Sequence, residues 1–155
     1  MEIRKAELGD EQKLAEEFWH PLGEEMEDYH PANELKEDCA EDAPEEFRKR
    51  IKDEKYSFFF LELEDEEIAY ISLEKGKRPS RKLEDYIDIV GIYVKKGFRD
   101  QGYGTKLIEK AKEISEESEA KYLTVSAEWE NEEAREFYNK TGFEEKKVKF
   151  IQMVD

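Results

Sequence analysis

Between Tyr86 and Ser115 the apolar pattern switches from strand to helix across one short glycine-bearing turn. Tyr86 to Val94 is the most apolar strand in the chain, interrupted only by Asp88. Gly102 to Ser115 then sets Leu107, Ile108, Ala111 and Ile114 on one helical stripe, and Lys121 to Ala127 reads as another strand. Earlier, Glu2 to Leu8 alternates as a short strand, and Leu14, Ala15 and Phe18 share a helical face that His20-Pro21 should stop. Residues 20–41 read as irregular. Pro44 suits the first turn of a second helix, with Phe47 and Ile51 on its inner face. Tyr56 to Leu63 and Glu67 to Leu73 are strands joined by Glu64-Asp65-Glu66, Glu132 to Lys140 is a short helix, and Phe143 to Val154 is a closing strand. The order is β-α-α-β-β-β-α-β-α-β, an α/β (α+β) chain whose 155 residues suit one domain over 1–155.

Charge narrows the partners. The chain has 42 acids and 26 bases, a net charge of −16. That balance argues against nucleic acid and against anionic membrane surfaces, both of which need a cationic face. Apolar runs such as Phe58 to Leu61 are far too short to span a membrane, and no apolar stretch follows the basic residues near Met1 as a signal peptide would require. Cys39 is the only cysteine, which excludes an internal disulfide and makes a reducing cytoplasm the expected location. With His20 and His30 alone beside it, no metal site is expected. The acidity is local: Glu7 to Glu46 holds 16 acids and two bases, whereas residues 81–155 hold 17 acids and 14 bases. The acidic stretch reads either as a solvated surface or as a mouth that attracts a cation. Five bases between Lys75 and Lys82 mark an exposed loop to which no function is assigned.

The chemistry concentrates between Asp88 and Phe143. Arg99-Asp100-Gln101-Gly102-Tyr103-Gly104-Thr105 opens a helix directly after the strand Ile92-Tyr93-Val94, where backbone N–H groups and the helix dipole favour a phosphate. It is neither a Rossmann fingerprint nor a P-loop. The Arg-x-x-Gly-x-Gly spacing after a strand resembles the diphosphate-binding segment of the GNAT superfamily of acyl-CoA-dependent N-acetyltransferases. Asn131, Tyr138 seven residues on, and Gly142-Phe143 four residues after that also resemble the family pattern.

The resemblance implies a mixed central sheet whose fourth and fifth strands are parallel and splay apart around acetyl-CoA, used as a co-substrate without a metal. Ile92 and Val94 would pair with the pantetheine arm, with an N–H near Val94 close to the thioester oxygen. Gln101, Gly102, Tyr103, Gly104 and Thr105 would wrap the diphosphate, Arg99 would add charge, Asn131 would contact the pantetheine amides, and Tyr138 would protonate the departing thiolate. Asp100 departs from the family habit and puts a carboxylate beside the diphosphate. Asp88 stands where histone-acetylating members carry a catalytic glutamate and is a candidate base, with Glu128 or ordered water as alternatives. Ser126 stands where some protein-N-terminal acetyltransferases carry a glutamate.

The acceptor is expected to be a small cationic amine, a polyamine, or a protein lysine or N-terminus, with Trp19, Tyr29 and the acidic segment suited to a cation. Ala127-Glu128-Trp129-Glu130-Asn131 is weakly similar to a polyamine-acetyltransferase motif. The competing reading is a GNAT-fold module that binds acyl-CoA or a partner without turnover. The closing strand could pair at a sheet edge, which is compatible with a homodimer.

Overall fold

The computed structural model describes residues 1–155. Its sheet has five strands, β1 (Glu2–Lys5), β2 (Tyr56–Leu63), β3 (Glu66–Lys77), β4 (Asp85–Val94) and β5 (Tyr122–Val125), in the order β1-β2-β3-β4-β5. The first four are antiparallel neighbours, and β4 and β5 are parallel. A parallel pair needs a long crossover, supplied by helix α3 (Tyr103–Glu117). Leu107, Ile108 and Ala111 of α3 bury themselves on one sheet face against Phe59, Leu61, Ile71, Leu73, Ile87 and Ile89. Helix α4 (Glu132–Lys140) adds Phe137 and Tyr138 to that cluster. The opposite face carries Phe58, Phe60, Tyr70 and Tyr93, covered by Leu14, Ala15 and Phe18 of helix α1 (residues 11–26) and Ala43 and Phe47 of helix α2 (Cys39–Ile51). Strand residues alternate between the two clusters, as a pleated sheet buried on both faces demands.

Three elements differ from the sequence reading. The first helix does not stop at His20-Pro21 but continues to Met26 through a π-helical stretch, Leu14–Trp19, in which the His20 N–H bonds the Ala15 carbonyl. The wider turn lies immediately before Pro21, where a prolyl ring would otherwise meet the carbonyl four residues back. The second helix begins at Cys39, so that Pro44 sits inside it. The closing strand is absent from the sheet. Residues 144–155 are exposed throughout and make no backbone hydrogen bond.

β4 carries one irregularity. Ser72 faces Gly91 and Leu73 faces Ile89, so Val90 has no partner on β3. This bulge changes the facing of the strand: Ile87 and Ile89 precede it on the α3 side, and Ile92 and Val94 follow it there. Gly91 allows Leu22 and the Tyr70 hydroxyl to lie close, since a Cβ there would be 3.2 Å and 3.0 Å from them.

The entry to α1 is held by charge. Arg4 of β1 makes a bidentate pair with Asp10 (2.8 and 3.0 Å), a 3.0 Å contact with Glu67 and a contact with Glu62, while Lys13 reaches Glu67 at 2.7 Å. The Arg4 hydrogen bond holds the Asp10 carboxyl below the usual range. Burial pushes Glu67 up, but the Lys13 and Arg4 hydrogen bonds more than offset it, and its net shift is also downward. Both folded values lie below the unfolded ones, so this stabilisation is complete above the ordinary carboxylate range near pH 4 and is lost as pH falls through the depressed values. Arg4→Ala is expected to cost about 2 kcal/mol in urea unfolding at neutral pH, because it leaves the partly buried Asp10 and Glu62 carboxylates without an ion-pair partner and Glu67 with Lys13 alone. The difference from wild type should shrink on acidification.

Candidate active site

The ladder between β4 and β5 covers only Tyr86 to Ile89 against Tyr122 to Val125. β4 continues for five more residues, while β5 ends. The two strands therefore form a fork that opens at Val90. Its lower half is zipped by stacked Tyr86 and Tyr122 rings, with centroids 5.2 Å apart, and by the Thr124 hydroxyl donating to Asp88 at 2.6 Å.

Backbone direction in the open half follows from the register. The Lys95 N–H donates to the Ile68 carbonyl at 2.9 Å. Antiparallel pairs alternate, so the polar groups of Tyr93 and Gly91 also point to β3, while those of Ile92 and Val94 point the other way, into the fork. The Val94 carbonyl is taken by Arg99, whose Nε donates to it at 2.7 Å. The N–H groups of Ile92 and Val94 and the carbonyl of Ile92 are left free.

Above the fork stands the N-terminus of α3. Asp100 adopts φ +62° and Gly102 φ +85°, a sharp left-handed turn that aims the chain into the helix. Gly102 is the N-cap and no side chain caps it. The first intrahelical backbone bond is from Lys106 to Gly102, so the N–H groups of Gly102, Tyr103, Gly104 and Thr105 have no backbone acceptor. Four aligned donors on a fifteen-residue helix are suited to an anion. Gly104 also lets α4 approach, because a Cβ there would lie 3.0 Å from the Phe137 ring. Gln101 is exposed beside these donors, and so is the Asp100 carboxylate.

The remaining candidates sit on two sides. Asn131 caps α4 by accepting from the Ala134 N–H at 3.1 Å, which leaves its amide NH2 free to donate. Tyr138 packs between Phe137 and Phe143. Burial pushes its phenol up to about 12. Its oxygen has no partner in the chain and is not sealed from solvent. Asp88 is in the zipped half, six residues below Val94, a separation of about 20 Å along a strand. Arg99 does not face the helix N-terminus. Its guanidinium bonds Glu25 of α1 at 2.8 Å and lies over the Tyr93 ring at 5.0 Å.

Sequence reasoning missed the wall that these contacts build. Glu25 pairs with Arg99, Glu17 pairs with Lys95 at 2.6 Å, and Asn33 donates to Glu128 at 2.8 Å across to the loop after β5. The acidic segment therefore crosses the fork from the end of β4 to the end of β5. Only its charge was readable in advance, since these pairs join residues far apart in the chain.

The acetyltransferase (GNAT) family model matches residues 16–143. An uncharacterized N-acetyltransferase of Methanocaldococcus jannaschii is 29% identical over 102 residues, which is 66% of this chain, and the chain spans only 45% of that protein's length. Among solved structures, the tetramutant of the BH1408 protein from Bacillus halodurans superposes with a TM-score of 0.87 at 18% identity, covering 99% of this chain and 100% of its own. The aminoglycoside N-acetyltransferase AAC(6′)-Iy, solved in complex with CoA, superposes with a TM-score of 0.68 at 16% identity, covering 99% and 100%. At such identities the structural matches speak for the fold.

Proposed function

The chain belongs to the acetyltransferase (GNAT) family, and from that premise we propose that it transfers the acetyl group of acetyl-CoA to a cationic primary amine by direct attack. The observation that carries the reading is the alignment of the open fork with the uncapped α3 N-terminus. One offers a free strand edge for a pantetheine arm and the other offers donors for a diphosphate. Acetyl-CoA would supply an activated thioester; the chain supplies position, donors and a path for protons.

Ile92 and Val94 hold the arm through backbone groups, and one of their N–H groups faces the oxygen that gains charge during attack. Such a donor acts most strongly when fixed in advance. Gln101 to Thr105 hold the diphosphate, and Asn131 donates to the arm from its free amide. Arg99 is assigned a positioning role, since it fixes the Val94 carbonyl and ties α1 to the fork. Tyr138 is assigned the leaving thiolate. A phenol near 12 is a weaker acid than a thiol near 8.5, so its contribution is a hydrogen bond to the developing charge rather than a full proton transfer in advance. Tyr138→Phe should lower kcat about tenfold or more with little change in the KM for acetyl-CoA, read by thiol release.

The amine arrives protonated at neutral pH and must lose a proton. Asp88, oriented by Thr124, is assigned that proton through ordered water, because it lies too far down the fork for direct contact. Asp88→Asn should shift the acidic limb of the pH–rate profile; an unmoved limb rejects the assignment. Glu17 and Glu25 are matched by Lys95 and Arg99, so the attraction for a cationic acceptor rests on Glu128, held by the neutral Asn33, and on the excess of acids between Glu7 and Glu46, and AAC(6′)-Iy is named for aminoglycosides, which are amines. The acceptor KM should therefore rise with salt, and a flat dependence would reject the cation. Asp100→Asn should tighten acetyl-CoA several-fold by removing a charge beside the diphosphate donors.

A further inference from the structure

One buried hydroxyl on the α1 side of the sheet has no partner. Tyr70 of β3 is 2% exposed and shares its cluster with Phe18, Phe58 and Phe60. Phe18 stacks on the Tyr70 ring with centroids 5.2 Å apart, a contact that phenylalanine at position 70 would make equally well. The oxygen makes no hydrogen bond within the chain, yet it is not sealed from solvent. An unpaired hydroxyl in an aromatic core carries a cost that phenylalanine avoids. Packing alone does not call for this oxygen.

Its position connects it to the fork. Tyr70 pairs with Tyr93 and Ser72 with Gly91, and the Tyr70 ring leans diagonally across β4 to Gly91. A Cβ on Gly91 would stand 3.0 Å from the hydroxyl, so the glycine leaves the oxygen its space. Leu22 of α1 closes over the same spot, 3.2 Å from that Cβ position. Gly91 follows the unmatched Val90, where β4 and β5 part, and precedes Ile92, whose N–H points into the open half. Backbone bond lengths then put the Tyr70 oxygen within about 6 Å of that N–H. A carbonyl oxygen accepting from Ile92, and a nitrogen about 3 Å from its carbon, fill that interval.

On the acetyltransferase reading, on which this assignment rests, we propose that the Tyr70 hydroxyl accepts an N–H of the acceptor amine as its nitrogen attacks. Tyr70 is then a catalytic residue on the acceptor side of the fork. The nitrogen gains positive charge as the C–N bond forms, so its N–H becomes a stronger donor and the bond to Tyr70 tightens. An interaction that strengthens on the way to the transition state is one that lowers the barrier. The phenol keeps its own proton, since burial pushes its ionisation upward. The surplus proton of the nitrogen leaves by the water path assigned to Asp88, and the electrons of the breaking C–S bond go to the thiolate assigned to Tyr138. Leu22 and the Phe18 ring crowd the oxygen, which fits a primary amine on an unbranched carbon.

Tyr70→Phe keeps the ring and removes only the oxygen. With spermidine as the amine, kcat/KM for spermidine should fall about 10- to 100-fold, the range for a hydrogen bond to a charged group. The dissociation constant for acetyl-CoA should match wild type in calorimetry, and the thermal midpoint should be equal or higher. Protein with tyrosines isotope-labelled at Cζ reads the contact directly by NMR. One resonance, missing from the variant, should shift saturably as spermidine is added to the CoA-bound protein. Unchanged kcat/KM in the variant would overturn the inference, and so would a Tyr70 resonance that spermidine leaves in place. A lowered midpoint with acetyl-CoA binding weakened to the same extent as turnover would overturn it too, by reducing the hydroxyl to a part of the fold. A wild-type chain that gives no heat with acetyl-CoA is a separate failure, which removes the acetyltransferase reading and this assignment with it.

Discussion

Replacing Ile92 with proline is expected to cut turnover by about 10²–10³-fold while the sheet survives. The Ile92 N–H points away from β3, so a proline there removes no bond of the β3–β4 ladder. What it removes is one of the two free N–H donors in the open fork. Ile92→Ala is the matched control: it loses the same apolar contact with the α3-side cluster but keeps the donor. The account predicts near-normal turnover for the alanine variant once its stability is allowed for, and a deep loss for the proline variant. Initial rates at saturating acetyl-CoA, with circular dichroism for the fold, give the comparison. Equal losses in the two variants would mean that the backbone donor has no role.

The largest stability effect is expected at Gly76, far from the anion site. A Cβ at this position of β3 would lie 2.2 Å from the Tyr86 ring, which covers the glycine on the neighbouring strand. The ring cannot retreat freely, because it stacks on Tyr122 within 6° of parallel. Gly76→Val should therefore cost about 3 kcal/mol in chemical denaturation, at the upper end for an overpacked site. It should also disturb the zipped half of the fork, where Tyr86 and Tyr122 form the first rung. Gly76→Val combined with Tyr86→Ala should recover part of the loss by removing the clash, although it gives up the stack. If the single variant is as stable as wild type, the ring moves easily and the rung is unimportant.

Much of this arrangement was legible from residue order. The apolar run from Tyr86 to Val94 and the helix stripe of Leu107, Ile108 and Ala111 appear as strand and helix because each buries a face against the same cluster, and burial is what periodicity records. The glycine turn was legible because a left-handed backbone, φ +85° at Gly102, favours glycine. The Val90 bulge was not, since nothing local distinguishes an unmatched residue from its neighbours. It emerges only when β3 sets the register, and the facing of Ile92 and Val94 depends on it. Pro21 was misleading for a related reason: a proline normally ends a helix, but the π-helical stretch before it makes room. Arg99 shows the limit for the site. Its place in the motif suggested a phosphate ligand, whereas its partners, Val94 and Glu25, come from the strand before it and from a helix 74 residues away in sequence.

The closing strand marks the other limit. Phe143 to Val154 has the composition of a strand, and the structure leaves it unpaired. Composition specifies that a segment is able to form a strand; it does not supply an edge for it to pair with.

The central claim is that the fork and the helix N-terminus together form an acetyl-CoA site. Calorimetric titration of the full chain with acetyl-CoA, beside free CoA and at moderate salt, addresses it directly. The account predicts saturable binding at one site per chain with a dissociation constant on the order of micromolar, weakened in Ile92→Pro and tightened in Asp100→Asn. No heat and no competition from CoA at millimolar concentration would contradict it, and would leave the fold as a scaffold for another partner.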